Sequence, residues 1–274
     1  MESSTVDATY LRYQYSDSEK LRVRADTHRL YSERPERLRE EIVAHLALIP
    51  GLVLLDVGCG PGGYHDAVRS VGAHVVGVDA SGGMVGEARA RAVSGQYRVQ
   101  VAQADAQTLP FGHRAFDRVL AAHMLYHVED RETALREMRR VLRAGGRVVL
   151  ATNGAPFLAR LDRLHREAAN SLGYATTTGD GARFTLNDLE LVRRVFPSAE
   201  RHVLDNSLVF HDPEPALQYY ASGMIDRIRD RPENGSHRAH LLPLVRAGIE
   251  AIIAREGVFR DPKPAGCFVA VVTA

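Results

Sequence analysis

The chain has 274 residues, two cysteines, no tryptophan, and 35 basic against 34 acidic side chains, for a formal net charge of +1. That length suits one large domain burying about three-quarters of the surface its unfolded form exposes, with no need of disulfide or metal staples. The charge balance leaves no broad field for a phosphate backbone, and 45% hydrophobic with 25% charged residues excludes a disordered or fibrous chain.

In chain order, residues 10–48 read as helical with a break at Pro35, which suits a helix's first turn. From Glu36 the positions Leu38, Ile42, Val43, Leu46 and Ile49 form one apolar face, and Pro50-Gly51 ends that helix. Short apolar runs then alternate with helical stretches. Strands are expected at 52–57, 74–78, 98–102, 116–122 and 147–151, with helices at 64–71, 84–93 and 131–142. This alternation predicts an α/β, Rossmann-like fold with a mostly parallel sheet covered on both faces. Beyond Thr152 the pattern changes. Helices are expected at 158–172 and 186–196, flanking a polar stretch at 174–183 (YATTTGDGAR) that reads as a lid or binding element. Strands at 201–210 and 267–272 and helices at 215–224 and 241–256 complete the chain. The reading is a single domain over 1–274: a helical cap at 1–49, a core at 50–152, a lid and substrate segment at 153–200, and completing strands and helices at 201–274.

Cys59 and Cys267 lie far apart and form no cluster, so no metal site is expected and the thiols suit a reducing compartment. Residues 1–7 (MESSTVD) are polar and acidic, unlike a signal peptide. The apolar stretches fall short of the about 20 residues that span a bilayer. A cytoplasmic protein is expected.

The most informative segment is 54–63 (LLDVGCGPGG), where a strand runs into a glycine cluster and then a helix. Glycines there let the backbone approach a ligand, and N–H groups at a helix start can meet an electron-rich group. Gly58, Gly60 and Gly63 fit a dinucleotide fingerprint, while Gly58, Gly60 and Gly62 fit another nucleoside-binding one. Asp79 ends the second strand, where this topology sets an acceptor over a ribose. Asp56, two residues before Gly58, would repel a pyrophosphate and attract a cation, which disfavours a nicotinamide dinucleotide. Asp105 follows the third strand at the same sheet edge, placed to accept from an adenine amino group. The plainer alternative is that these carboxylates cap turns.

Together 54–63, 76–79, 104–106, Leu109-Pro110-Phe111, Phe116-Asp117, 123–128 (HMLYHV) and 142–146 (LRAGG) resemble a class I S-adenosylmethionine-dependent methyltransferase. The similarity is to the small-molecule branch that includes ubiquinone- and menaquinone-type enzymes, and it covers residues 50–152. It implies S-adenosyl-L-methionine as cofactor and a small-molecule acceptor, with no nucleic acid or membrane partner. Gly58, Gly60 and Gly62 would approach the methionine part, with Asp56 and the His123 backbone near its ammonium. Asp79 would hold the ribose, Met84 would pack on the adenine, and Asp105 with the Ala106 backbone would read the adenine edge. The resemblance also implies strand order 3-2-1-4-5-7-6 with the seventh strand antiparallel.

Methyl transfer from a sulfonium rests mainly on placing the acceptor in line, with a general base where the acceptor sheds a proton. Candidate catalytic residues are His123 and His127 after the fourth strand, Asn153 after the fifth, and Tyr174 in the lid. In the cap, Tyr13, Tyr15, His28 and Tyr31 are candidates to close over the cofactor, since tyrosine faces attract a sulfonium. The Asp/Asn-Pro-Pro-aromatic run of base-modifying enzymes is absent after strand four, where Ala122-His123-Met124-Leu125 stands. An enzyme that transfers or cyclises the aminocarboxypropyl arm, releasing methylthioadenosine, is the alternative in a different reaction class.

Overall fold

The computed structural model describes residues 18–35, 37–97, 99–177 and 184–273. In chain order its helices are α1 (Ser18–Tyr31), α2 (Arg37–Leu46), α3 (His65–Ser70), α4 (Gly82–Ser94), α5 (Arg131–Val141), α6 (Ala159–Ser171), α7 (Leu189–Val195), α8 (Pro213–Ala221) and α9 (Ser236–Glu256). Its strands are β1 (Val53–Val57), β2 (His74–Asp79), β3 (Gln100–Gln103), β4 (Phe116–Ala122), β5 (Leu142–Asn153), β6 (Glu200–Leu204), β7 (Ser207–Phe210), β8 (Phe259–Pro262) and β9 (Ala265–Val271). The described residues form two compact units: a sheet unit from 37–154, 184–204 and 265–273, and a helical unit from 18–35, 155–177 and 205–264. The 153–200 segment is therefore divided, 155–177 going to the helical unit and 184–200 to the sheet unit.

The sheet unit holds seven strands in the order β3-β2-β1-β4-β5-β9-β6. Neighbours are parallel from β3 to β5, and β9 runs antiparallel to both β5 and β6. This is the expected order 3-2-1-4-5-7-6 with its reversed strand, and the α/β reading stands. Successive strand residues point to opposite faces, so the central strands feed two cores. Leu55, Val119, Val148 and Phe268 pack with Leu135 and Met138 of α5. Leu54, Leu120, Val149 and Cys267 pack on the other face with Ile42 and Leu46 of α2 and Val68 of α3. Burial on both faces is why these strands read as continuous apolar runs.

The helical unit packs α6, α8 and α9 around Tyr220, Phe210, Phe259, Leu241 and Ile249, with the two-stranded β7–β8 sheet beside them. A Cβ on Gly248 of α9 would sit 2.5 Å from Leu164 Cδ2 of α6, so glycine there sets the close approach of these helices. Asp261 of β8 caps α6, its two oxygens accepting the Arg160 and Leu161 N–H groups at 3.0 and 2.8 Å. Among the described residues no helix is long and apolar enough to cross a membrane.

Several elements differ from the sequence reading, among them β5, which begins at Leu142 rather than 147, and β8, which was not expected. The strand expected at 201–210 is two strands in two sheets, broken at Asp205-Asn206. There Asn206 Oδ1 accepts from the Ser207 and Arg34 N–H groups and its Nδ2 donates to the Arg34 carbonyl, which turns the chain away from β6. The helix expected at 241–256 begins at Ser236, and Pro243 lies inside it. Its first turns are anchored by side chains, His237 Nε2 lying 2.9 Å from Asp226 Oδ1 and Arg238 paired with the same carboxylate. Finally, α2 stops at Leu46, Ala47 takes φ +46°, and Ile49 leaves the expected apolar face to stand 60% exposed.

Candidate cofactor site

β1 carries Asp56 to the centre of the sheet, opposite Gly77 of β2 and Leu120 of β4. The carboxylate is 1% exposed, and burial pushes its pKa up, with His65 partly opposing that rise. The chain then leaves the sheet through the glycine loop. The Gly58 and Cys59 N–H groups donate to the Val78 carbonyl at 2.7 and 3.0 Å, tying the loop to the end of β2. Gly58 has φ +67° and a Cβ there would lie 2.6 Å from Met124 Cβ, so no side chain fits. Gly62 has φ +77° and a Cβ there would meet His65 Nδ1 at 2.6 Å. At Gly60 and Gly63, by contrast, a Cβ would find nothing within 4 Å, so the loop presents open backbone there.

Asp79 closes the loop from the other side. Its Oδ2 accepts the Gly60 N–H at 2.9 Å and its Oδ1 accepts the Ser81 N–H at 2.8 Å. The carboxylate thus does cap the turn after β2, yet it also reaches across to the loop. An ionised carboxylate has about four lone-pair sites, so two are left for a ligand. Ser81 caps α4, its Oγ accepting from the Met84 N–H at 3.4 Å, and the Met84 side chain is buried. Asp105 is exposed and accepts from the Gln107 N–H at 2.8 Å, while Ala106 beside it is buried. Cys59 lies under the loop. Burial and the carboxylates of Asp56 and Asp79 push its thiol far up, which leaves it neutral and poorly nucleophilic.

At the end of β4, His123 takes φ +55° while its N–H donates to the Ala151 carbonyl at 2.9 Å. A left-handed histidine is uncommon, and it turns the chain sharply at the sheet edge that carries the loop. His127 ends one turn of 3-10 helix, Leu125–His127, its ring edge-on to Tyr126 at 4.4 Å. Asn153 ends β5 opposite Ala265, and its carbonyl accepts the Leu186 N–H at 3.0 Å. The sheet unit therefore brings Asp56, Gly58, Gly60, Gly62, Asp79, Met84, Asp105, Ala106, His123, His127 and Asn153 to the carboxyl ends of β1 to β5 and the loops or first helical turn after them.

The remaining candidates belong to the helical unit. Tyr31 packs 5.1 Å from the Phe210 ring, and Tyr174 is partly buried against the same core. His28 stands edge-on to Tyr219 at 5.5 Å, with its Nδ1 3.1 Å from Lys263 Nζ. Tyr13 and Tyr15 lie outside the described residues. The sequence reading passed over two groups. Lys263, which also donates to Ser32 Oγ, is lowered to about 8 by burial. His65 lies with its Nε2 3.2 Å from Asp56 Oδ2, both side chains sealed from solvent. No motif marks Lys263. His65 had one signal, a polar residue just after a glycine loop on a helix face that must turn inward.

With this geometry in view, residues 55–150 match the family described as a methyltransferase domain. That segment is similar to methyltransferase domains, and the match covers about a third of the chain. The methyltransferase GfsG of Streptomyces halstedii is 39% identical over 123 residues, covering 44% of each chain. A demethylmenaquinone methyltransferase of Clavibacter sepedonicus is 38% identical over 111 residues, covering 40% of this chain and 45% of its own. Each match spans less than half the length of the relative. Among solved structures, the [4+2]-cyclase SpnF has a TM-score of 0.56 at 22% identity, covering 88% of this chain and 82% of that one. At that identity the likeness concerns the fold.

Proposed function

We propose that this protein transfers the sulfonium methyl group of S-adenosylmethionine to a small-molecule acceptor. The observation that carries this reading is Asp79 bridging Gly60 and Ser81, because it aligns the open glycine backbone with a carboxylate that keeps free acceptor sites. The donor set suits the cofactor. Asp79 offers acceptors for a ribose diol, Gly60 and Gly63 leave room for close approach, and buried Asp56 Oδ2 has no aligned donor of its own and suits a cationic group. When bound, S-adenosylmethionine supplies an electrophilic methyl group on a cationic sulfur.

The chain's own residues bind, orient and move a proton. Met84, buried in the first turn of α4, offers a soft apolar surface for adenine beside Asp105 and Ala106. His123 and His127 flank the turn after β4, where a histidine can take the proton an acceptor loses. Asn153 is placed to orient the acceptor by hydrogen bonding. His28, Tyr31 and Tyr174 offer aromatic surface within the helical unit. We place the protein in the cytoplasm, where Cys59 and Cys267, both buried and free, would stay reduced.

The test is product analysis by mass spectrometry after incubation with S-adenosylmethionine and candidate acceptors. S-adenosylhomocysteine with a mass gain of one methyl on the acceptor is expected. Methylthioadenosine would overturn the methyl-transfer reading in favour of chemistry on the aminocarboxypropyl arm.

A further inference from the structure

His65 has no part in the binding scheme above, yet the chain makes room for it from two sides. A Cβ on Gly62 would lie 2.6 Å from its Nδ1, and a Cβ on Gly77 would lie 3.3 Å from its Cε1. Gly62 thus leaves space for the imidazole beneath the loop, and Gly77 leaves space for both it and Cys59, whose Sγ would lie 2.9 Å from such a Cβ. The ring is 0% exposed, and neither nitrogen has an aligned hydrogen-bond partner. Its Nε2 stands 3.2 Å from Asp56 Oδ2, close enough for the two to hold a proton between them, and that oxygen has no other partner. Three buried polar atoms in one place are exceptional in a folded protein, because each has given up its hydrogen bond to water. A histidine present only to fill space would be better replaced by an apolar residue.

We propose that His65 is a positioning residue for Asp56, and that the pair holds a shared proton which leaves when a cationic ligand occupies the glycine loop. This rests on the reading of that loop as the S-adenosylmethionine site. The surroundings give the direction. The titratable groups facing the pair are Asp79 from β2, Cys59 from the loop and Tyr64 before α3, with Arg39 of α2 lying 6.0 Å over the Tyr64 ring. Asp79 opposes a second negative charge at Asp56, so a proton on the pair offsets that repulsion in the free protein. A ligand cation reaching Asp56 offsets it in the proton's place. Binding and proton release are then reciprocal, so affinity rises with pH, by up to about tenfold per unit across the pair's titration.

The experiment is isothermal titration calorimetry of the full chain with S-adenosylmethionine, from pH 5.5 to 8, in phosphate and in a second buffer of different ionisation enthalpy. The ligand's own ionisation is common to every variant and cancels on comparison. Wild type is expected to release a proton on binding and to tighten with rising pH. His65→Leu should weaken binding about tenfold at pH 8 through loss of the charge-assisted contact. His65→Gln keeps a donor but cannot hold the shared proton, so it should recover most of that affinity while the midpoint of the pH rise moves. Wild-type affinity and wild-type proton release in His65→Gln would overturn the proposal while leaving the cofactor reading intact. Failure of the wild type to bind at any pH would overturn both. Circular dichroism checks the fold of each variant, and if His65→Leu does not fold, His65→Gln decides.

Discussion

Replacing Asp79 by alanine probes both the loop and the ligand. In the structure its carboxylate accepts two backbone N–H groups, from Gly60 at 2.9 Å and Ser81 at 2.8 Å. Hydrogen bonds to an ionised group contribute about 1.5–3 kcal/mol each, but both donors are near the surface and regain water when released. The expected loss of folding stability is therefore about 1–2 kcal/mol. Binding suffers more. The loop loses its anchor at Gly60, and a ribose diol loses the acceptors that remain on the carboxylate. Together these cost about 2–4 kcal/mol, which corresponds to a roughly 30- to 1,000-fold weaker Kd. Isothermal titration calorimetry with S-adenosylmethionine measures the affinity, and chemical denaturation measures the stability. An Asp79→Ala protein that binds within threefold of wild type would refute the reasoning, because no other described group ties Gly60 to β2.

Three further outcomes are expected. Gly58→Ala sets a Cβ 2.6 Å from that of Met124 at φ +67°, so it should cost about 1–3 kcal/mol, seen as a lowered Tm, and abolish cofactor binding. An undisturbed Tm would contradict the tight loop. Asp261 is 1% exposed and raised from the ordinary 3.8 to about 6, mainly by burial, so the folded state holds its proton more tightly than the unfolded state does. Stability should therefore fall as pH rises from about 4 to 6, by about 3 kcal/mol, and level off above; urea denaturation of Asp261→Asn should lack that slope. Lys263, lowered to about 8, should reach half-maximal trace acylation near that pH by peptide mass spectrometry, and a midpoint above 10 would refute its burial.

The alternation of strand and helix through 52–151 was legible because the central strands β1, β4 and β5 are buried on both faces and the loops carry glycine or a helix cap. The candidate cofactor residues were named from the same stretch, because a close backbone approach demands glycine and a ribose would need an acceptor at the end of β2. Beyond 152 the pattern was less informative. Local alternation at 201–210 reports a half-buried strand but not which sheet receives each half, and the break depends on Asn206 bonding to Arg34, far away in sequence. The early start of α9 was hidden in the same way. Pro243 argues for a later beginning, and only the tertiary pairing of His237 and Arg238 with Asp226 overrides it. His65 escaped notice because its one mark, a place just after the glycine loop, does not by itself separate an inward ring from an exposed one.

The position of β9 between β5 and β6 sets an order on assembly during synthesis. β5 is complete by residue 153, and its neighbour arrives only with residues 265–271. Until then the nascent sheet carries an open apolar edge whose amide and carbonyl groups lack partners, a form prone to pairing with another chain. β6, whose sheet partner is β9, waits equally. A translation product halted before residue 265 would therefore hold the whole glycine loop and every carboxylate around it, yet still lack a finished sheet to support them.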